Sequence, residues 1–223
     1  MKTATSLASV CERRVKLKIC GVKNGEDIAA LSSLGVDYIG IIVEVKRSLR
    51  SLDRSAAVKL AITSHVPVVF VVSNPDFYLL EELARSSPHA IQFHGNESLN
   101  FLKEVKEKFS CEVWKAVELS SNPQEIKKAK NCVNFDFSTD AVDRYVLDRP
   151  KTSKGGVPLG KWKKAKKLLN KPFFLAGSIT PQNVKTIIQE IMPFGIDISR
   201  GVEAYAGKKN LLDVHEVLVS LAK

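Results

Sequence analysis

Val66-Pro67-Val68-Val69-Phe70-Val71-Val72 is almost continuously apolar and rich in β-branched residues. Such a run is what a strand buried on both faces requires, and strands of that kind belong to parallel sheets covered by helices. The flanking sequence repeats one pattern in both directions. Upstream, Val15–Cys20 reads as a strand, Asp27–Leu34 as a helix, Asp37–Val43 as a strand and Asp53–Thr63 as a helix. Downstream, a helix over Asp76–Ser86 is opened by Asn74 and Pro75, which suit a helix start. His89–Phe93 (strand), Leu99–Phe109 (helix), Glu112–Val117 (strand), Pro123–Ala129 (helix) and Cys132–Phe137 (strand) follow. Ser138–Val157 carries Asp, Pro and Gly and reads as a long functional loop or lid. The chain closes with helix Leu159–Leu169, strand Pro172–Leu175, helix Pro181–Ile191, strand Gly195–Ile198 and helix Leu211–Leu221.

Alternation of this kind predicts an α/β protein with a parallel sheet and crossover helices. Eight units in a chain of this size fit a closed single-domain (β/α)8 TIM barrel over residues 15–223. An open doubly wound sheet is the alternative, but the turn Cys20-Gly21-Val22-Lys23-Asn24 has no G-x-G-x-x-G, which disfavours its nucleotide-binding form. Residues 1–14 read as a flexible N-terminal extension without the apolar segment of a secretory signal.

Composition narrows the function classes. The 223 residues are 44% hydrophobic, an ordinary globular value, and no apolar run approaches the roughly 20 residues of a membrane span. The four cysteines stand far apart, without the close pairs of a structural zinc site. A reducing cytoplasm and no structural zinc site are therefore expected. Lys+Arg exceeds Asp+Glu by 34 to 24, a net charge of +10. The densest basic cluster, Lys161, Lys163, Lys164, Lys166 and Lys167 around Trp162, reads as a solvated helix face rather than a nucleic-acid surface. A positive field also speeds encounter with a small anionic substrate.

Barrel enzymes carry their chemistry at the C-terminal strand ends. The predicted strands therefore nominate Cys20, Arg50, His94, Asp136, Gly177–Ser178 and Ser199–Gly201. The two small-residue turns follow the seventh and eighth strands, the usual phosphate site of this fold. Close backbone approach and free N–H groups suit a phosphate there, so a phosphorylated substrate is expected.

Five stretches then carry a resemblance: Lys18-Ile19-Cys20-Gly21, Ile91-Gln92-Phe93-His94-Gly95, Leu175-Ala176-Gly177-Ser178, Pro181-Gln182-Asn183-Val184 and Asp197-Ile198-Ser199-Arg200-Gly201-Val202-Glu203. In order and spacing, from about Lys16 to the C-terminus, the chain resembles phosphoribosylanthranilate isomerase, a (β/α)8 enzyme of tryptophan biosynthesis. The resemblance implies a cofactor-independent Amadori rearrangement. N-(5-phosphoribosyl)anthranilate would become 1-(2-carboxyphenylamino)-1-deoxy-D-ribulose 5-phosphate.

The family's general base is a strand-one cysteine, matched by Cys20, and its general acid is a strand-six aspartate, matched by Asp136. An acid held protonated until use should have its pKa raised by burial. The base must be a thiolate, which a cation favours, and Lys18 lies two residues before Cys20 on the same strand. The resemblance also implies that Arg50 grips the anthranilate carboxylate, with Lys46 and Arg47 as rivals. Gln92 and His94 would line the anthranilate side. Asp197 would either bond the open-chain sugar or organise its turn. Gly155 and Gly156 match the closing sixth loop, and Gly177, Ser178, Ser199, Arg200 and Gly201 match the phosphate site. Three features depart from the family pattern. Arg200 stands where a second serine is usual, Ser178 where a second glycine is, and the sixth loop is longer.

The expected partner is a small phosphorylated molecule, with no nucleic acid and no membrane, and the expected state is a monomer or homodimer. The alternatives are another phosphosugar barrel enzyme of altered specificity, or a non-catalytic barrel binding a phosphorylated ligand or nucleic acid.

Overall fold

The computed structural model describes residues 15–118, 136–149 and 159–222. Eight parallel strands close on themselves: β1 Lys16–Cys20, β2 Tyr38–Val43, β3 Val68–Val72, β4 Ala90–Phe93, β5 Glu112–Glu118, β6 Arg144–Asp148, β7 Phe173–Ala176 and β8 Gly195–Ile198. Each pairs with its neighbour in chain order, and β8 returns to β1 with Lys18 opposite Asp197. Outside lie α1 Gly25–Ser33, α2 Arg54–Ile62, α3 Phe77–Ala84, α4 Leu99–Lys108, α5 Leu159–Lys166, α6 Pro181–Ile191 and α7 Leu211–Leu221. A two-residue strand, Ser51–Leu52, extends β2, and a hairpin of Glu203–Tyr205 with Lys208–Lys209 follows β8.

Local chemistry sets the helix starts. Asn24, Asp53, Asp76 and Ser98 each accept from a backbone N–H three residues on, at 2.8–3.2 Å, and so satisfy donors the helix leaves open. At α6, Pro181 occupies the first turn and Asn183 Oδ1 accepts from the N–H of Thr180 at 2.9 Å.

The sixth strand corrects the sequence reading. Arg144–Asp148 lies inside the stretch read as a lid, and it pairs with β5 from Trp114↔Arg144 to Glu118↔Asp148. Tyr145, Val146 and Leu147 are each at most 1% exposed, which is the burial a barrel strand requires. Of the strand expected over Cys132–Phe137, Asp136 and Phe137 lie in a loop, and 132–135 fall outside the described residues. The helix expected over Pro123–Ala129 falls outside them too. Phe137 packs against the Tyr145 ring at 5.5 Å and accepts its hydroxyl at 2.9 Å, lying beside β6 rather than replacing it.

Strand alternation splits the core. Odd-numbered residues of β1 and β2, such as Leu17, Ile19, Ile39 and Ile41, pack toward the helices in one large apolar cluster. Even-numbered residues of these strands, such as Cys20 and Tyr38, join Val69 and Val71 of β3 in facing the lumen. Its floor is aromatic: Trp114 stacks on Phe174 at 4.8 Å, and Tyr38 meets both edge-on. Arg144 lies over Phe194 at 4.4 Å and pairs with Glu112 at 2.8 Å. Aromatic packing thus fills the N-terminal end of the lumen, and the polar side chains gather at the other. Lys163 and Lys166 of α5 reach Glu190 and the Ile191 carbonyl, while Trp162 is buried, so this cluster presents no aromatic platform for bases.

A second buried ion pair shapes the loops after β3 and β4. Lys115 and Glu97 meet at 3.0 Å with side chains 0% and 2% exposed. Glu97 also accepts from the N–H groups of Asn74 and Gly95, and Lys115 donates to the Gly95 carbonyl at 2.8 Å. Removing one partner strands the other charge in the interior. Glu97→Ala is expected to lower the unfolding free energy by about 3–5 kcal/mol, read from the denaturant midpoint.

Candidate active site

The C-terminal strand ends surround a cavity of about 830 Å³. Cys20, Arg50, Gln92, His94, Asp148 and Asp197 line it, with the turns at 176–180 and 198–201. Gln92 Oε1 and Asp197 Oδ1 are buried there with no hydrogen-bond partner among the described residues. Two acceptors are thus available to hydroxyl or amine donors of a ligand.

Cys20 ends β1 and is 8% exposed. Lys18, one pleat earlier, bonds Asp197 Oδ2 at 2.8 Å and also reaches the thiol. Burial pushes the thiol pKa up, and the ammonium groups of Lys18 and Lys209 offset only part of that rise. Burial also works against the Lys18 charge, but Asp197 and Cys20 outweigh it and raise its pKa. Lys18 is therefore a fixed cation beside the sulfur. Gly40 of β2 makes room for the group: a Cβ there would stand 2.9 Å from Cys20 Sγ and 3.0 Å from Lys18 Nζ.

Arg50 lies on the loop after β2, inside the cavity wall. Its Nε and Nη2 bond Glu203 at 2.5–3.0 Å. Glu203 also takes Lys209 at 2.8 Å, and Lys209 in turn donates to the Cys20 carbonyl at 2.7 Å. The hydrogen bond to Glu203 is the main cause of Arg50's raised pKa. Burial acts to raise the Glu203 pKa, but Arg50 and Lys209 bring it below the ordinary value. Gly21, at φ +77°, lets the Arg50 stem pass, since a Cβ there would stand 2.7 Å from Arg50 Cδ. Lys46 and Arg47, the rivals for carboxylate binding, are both exposed; Arg47 lines the cavity and Lys46 is not part of its lining.

The strand-six end presents Asp148, not Asp136. Inward residues of β6 are the even ones, so Val146 and Asp148 face the lumen and the cavity. Asp148 Oδ1 accepts from the N–H of Arg149 at 2.8 Å, and Oδ2 lies 3.7 Å from His94 Nε2, which Glu118 Oε1 also approaches, at 3.9 Å. Asp136 is exposed and outside the cavity lining. Its carboxylate accepts from the N–H and hydroxyl of Ser138 at 2.9 and 2.6 Å, which lowers its pKa. The buried, proton-retaining acid expected there is absent.

The opposite wall is built from backbone. Gly177 (φ +96°) and Ser178 (φ +54°) turn sharply after β7. The amides of Ser178 and Ile179 have no acceptor among the described residues. A Cβ on Gly201 would fall 1.8 Å from the Ile179 carbonyl, so only glycine lets the turns after β7 and β8 touch. Ser199 and Arg200 complete the rim, with Arg200 exposed, and Arg149 lies beside Gly177. Gly155 and Gly156 lie outside the described residues. Among those described, no group of three or more His, Cys, Asp and Glu converges in metal-binding geometry.

The model of the N-(5'-phosphoribosyl)anthranilate isomerase family matches residues 17–219. The chain belongs to the phosphoribosylanthranilate isomerase family. A relative from Staphylococcus aureus (strain bovine RF122 / ET3-1), named N-(5'-phosphoribosyl)anthranilate isomerase, is 32% identical over 203 residues, covering 88% of this chain and 92% of the relative. The phosphoribosyl anthranilate isomerase of Thermotoga maritima superposes with a TM-score of 0.79 at 26% identity, over 93% of this chain and 98% of that one. The isomerase of Pyrococcus furiosus gives 0.78 at 25% over the same shares. A further phosphoribosyl anthranilate isomerase, solved with reduced 1-(o-carboxyphenylamino)-1-deoxyribulose 5-phosphate, gives 0.75 at 25%, again over 93% and 98%.

Within this family frame, sequence reasoning missed Asp148, Glu118, Lys209 and the spacing role of Gly40. The signal for Asp148 was a short apolar run, Tyr145-Val146-Leu147, inside a 20-residue stretch too long to lack an element. Gly40 carries its own expectation. Gly40→Ala should lower turnover at least tenfold and lower the unfolding midpoint as well, because the new methyl meets the Cys20 sulfur, the Cys20 Cα and Lys18 at 2.9–3.0 Å. Steady-state kinetics beside a denaturation curve checks it.

Proposed function

We propose that the chain isomerises N-(5-phosphoribosyl)anthranilate, with Cys20 as general base and Asp148 as general acid. The observation that carries this reading is that Cys20, at the end of strand one, and Asp148, at the end of strand six, open into one cavity beside a backbone-lined anion site. Asp148 gives a proton to the ring oxygen, and the C1′–oxygen bond breaks to leave a Schiff base. The Cys20 thiolate removes the C2′ proton, and the electron pair of that bond moves to form the enolamine. Tautomerisation of the enol then gives the ketose. Lys18 holds positive charge beside the sulfur, and the free oxygen of Asp197 is available to a sugar hydroxyl. Arg50 takes the anthranilate carboxylate, Gln92 and His94 flank the arylamine, and the amides of the 177–179 and 199–201 turns take the phosphate with Arg200 at its rim. The phosphorylated substrate is the partner; the enzyme works in the cytoplasm as a monomer or homodimer, without nucleic acid. Among the described residues no helix is long and apolar enough to cross a membrane.

Three variants test the assignment through the loss of anthranilate-linked fluorescence change on freshly made substrate. Cys20→Ala and Asp148→Asn are each expected to lower kcat by about 10²–10⁴-fold or more. Asp136→Asn should stay within about twofold of wild type, and a loss there matching that of Asp148→Asn would return the acid to the loop.

The raised thiol pKa has a consequence in pH. A base that must lose its proton is rarer below its pKa, so kcat/KM should climb as pH rises, through and beyond the ordinary thiol range near about 8.5. A profile already flat at neutral pH would mean that the thiol has lost its proton there and would contradict its raised pKa.

A further inference from the structure

We propose that Glu203 is a positioning residue that makes the site specific for an arylamine bearing a carboxylate, by aiming Arg50. This rests on the isomerase reading above and adds to it the group that decides which arylamine is accepted.

Glu203 is the most heavily bonded carboxylate of the rim, and its side chain is only 4% exposed. Oε1 accepts from Arg50 Nε at 2.8 Å, Lys209 Nζ at 2.8 Å and the N–H of Gly207 at 3.3 Å. Oε2 accepts from Arg50 Nε at 3.0 Å and Nη2 at 2.5 Å. A guanidinium has two edges that can bind a carboxylate with paired hydrogen bonds. Here the side edge, Nε with Nη2, is committed to Glu203. The end edge, Nη1 with the second Nη2 hydrogen, has no partner among the described residues and is left for a ligand in the cavity that Arg50 lines.

The loop that carries Arg50 is held through its backbone, with Ser48 Oγ accepting from the Arg50 N–H at 3.2 Å and Lys23 donating to the Leu49 carbonyl at 3.1 Å, and neither bond reaches the guanidinium. Leu49 beside it is 75% exposed, and Arg47 is exposed as well. Arg47 also lines the cavity, but no carboxylate holds it among the described residues, so it supplies charge without direction. Glu203 supplies the direction from the other side of the rim. It stands on the hairpin after β8, and Lys209 of the same hairpin is fully buried and bonded to the Cys20 carbonyl. The carboxylate-binding edge of Arg50 is thereby set at a fixed place relative to the strand that carries the base.

The test compares two substrates that differ only in the carboxylate. N-(5-phosphoribosyl)anthranilate and N-(5-phosphoribosyl)aniline, each condensed in situ from ribose 5-phosphate, are turned over by wild type, Glu203→Gln, Glu203→Asp, Arg50→Met and Arg50→Met with Glu203→Gln. Glu203→Gln should raise KM for the anthranilate substrate at least tenfold and that for the aniline substrate less than threefold. Glu203→Asp keeps a charge beside Lys209 on a stem too short for the paired bond, and should show the same selectivity. In the Arg50→Met background, Glu203→Gln should add nothing further to the difference between substrates. Equal losses on both substrates in both Glu203 variants, or independent losses in the double variant, would overturn the proposal and make Glu203 purely structural. Wild-type protein that turns over neither substrate would instead overturn the isomerase reading, and wild type indifferent to the carboxylate would remove Arg50 from its role.

Discussion

Lys18 and Asp197 form an ion pair sealed inside the barrel, with side chains 0% and 6% exposed. They are opposed residues across the β8–β1 seam, so the pair sits where the sheet closes on itself. A buried pair of this kind returns little net stability, because both charges give up water to form it. Its effect is to fix geometry. One Asp197 oxygen is consumed by the lysine, the other is buried without a hydrogen-bond partner among the described residues, and the ammonium of Lys18 is held beside the Cys20 sulfur. The seam of the fold thus borders the cavity that the proposed chemistry uses.

The lumen is layered for the same reason. Its lower half can be apolar because aromatic rings fill it, with Trp114, Phe174 and Tyr38 in mutual contact. The upper half cannot be, since the inward positions of β1, β4, β6 and β8 carry Lys18 and Cys20, Gln92, Asp148 and Asp197. Each polar group is either paired or open to the cavity. Glycines set the spacing: Gly40 leaves volume for the sulfur and the ammonium, and Gly201 allows two turns to meet backbone to backbone. A small residue at these places is a constraint imposed by neighbours from other strands.

Rim charges extend this scheme. Arg47, Arg50, Arg149 and Arg200 all line the cavity, which suits a ligand with anionic groups at both ends. The net charge of +10 therefore has a local counterpart at the site. The lysines of α5 are a separate matter, spread over a helix whose one large aromatic, Trp162, points into the core.

Much of this was legible along the chain. Apolar patterning marked seven of the eight barrel strands and all seven described helices; the start of α3, read at Asn74 and Pro75, is capped by Asp76 instead. Cys20, Arg50 and His94 could be nominated from the strand pattern, and Gln92 and Asp197 from the family resemblance; all five line the cavity. Asp136 was nominated from an apolar run at the wrong place. Cys132–Phe137 and Arg144–Asp148 both carry apolar residues, and only pairing with β5 and β7 shows which of the two enters the barrel. The carboxylate that ends the sixth strand and lines the cavity is therefore Asp148, twelve positions on from Asp136. The pairing of Arg50 with Glu203, 153 residues apart, was beyond any local pattern as well. The sequence by itself determined the alternation, the caps and the residue types at most strand ends. Tertiary structure decided which segment was the sixth strand and which charges met, because strand pairing and ion pairing join residues whose separation along the chain carries no signal of their contact.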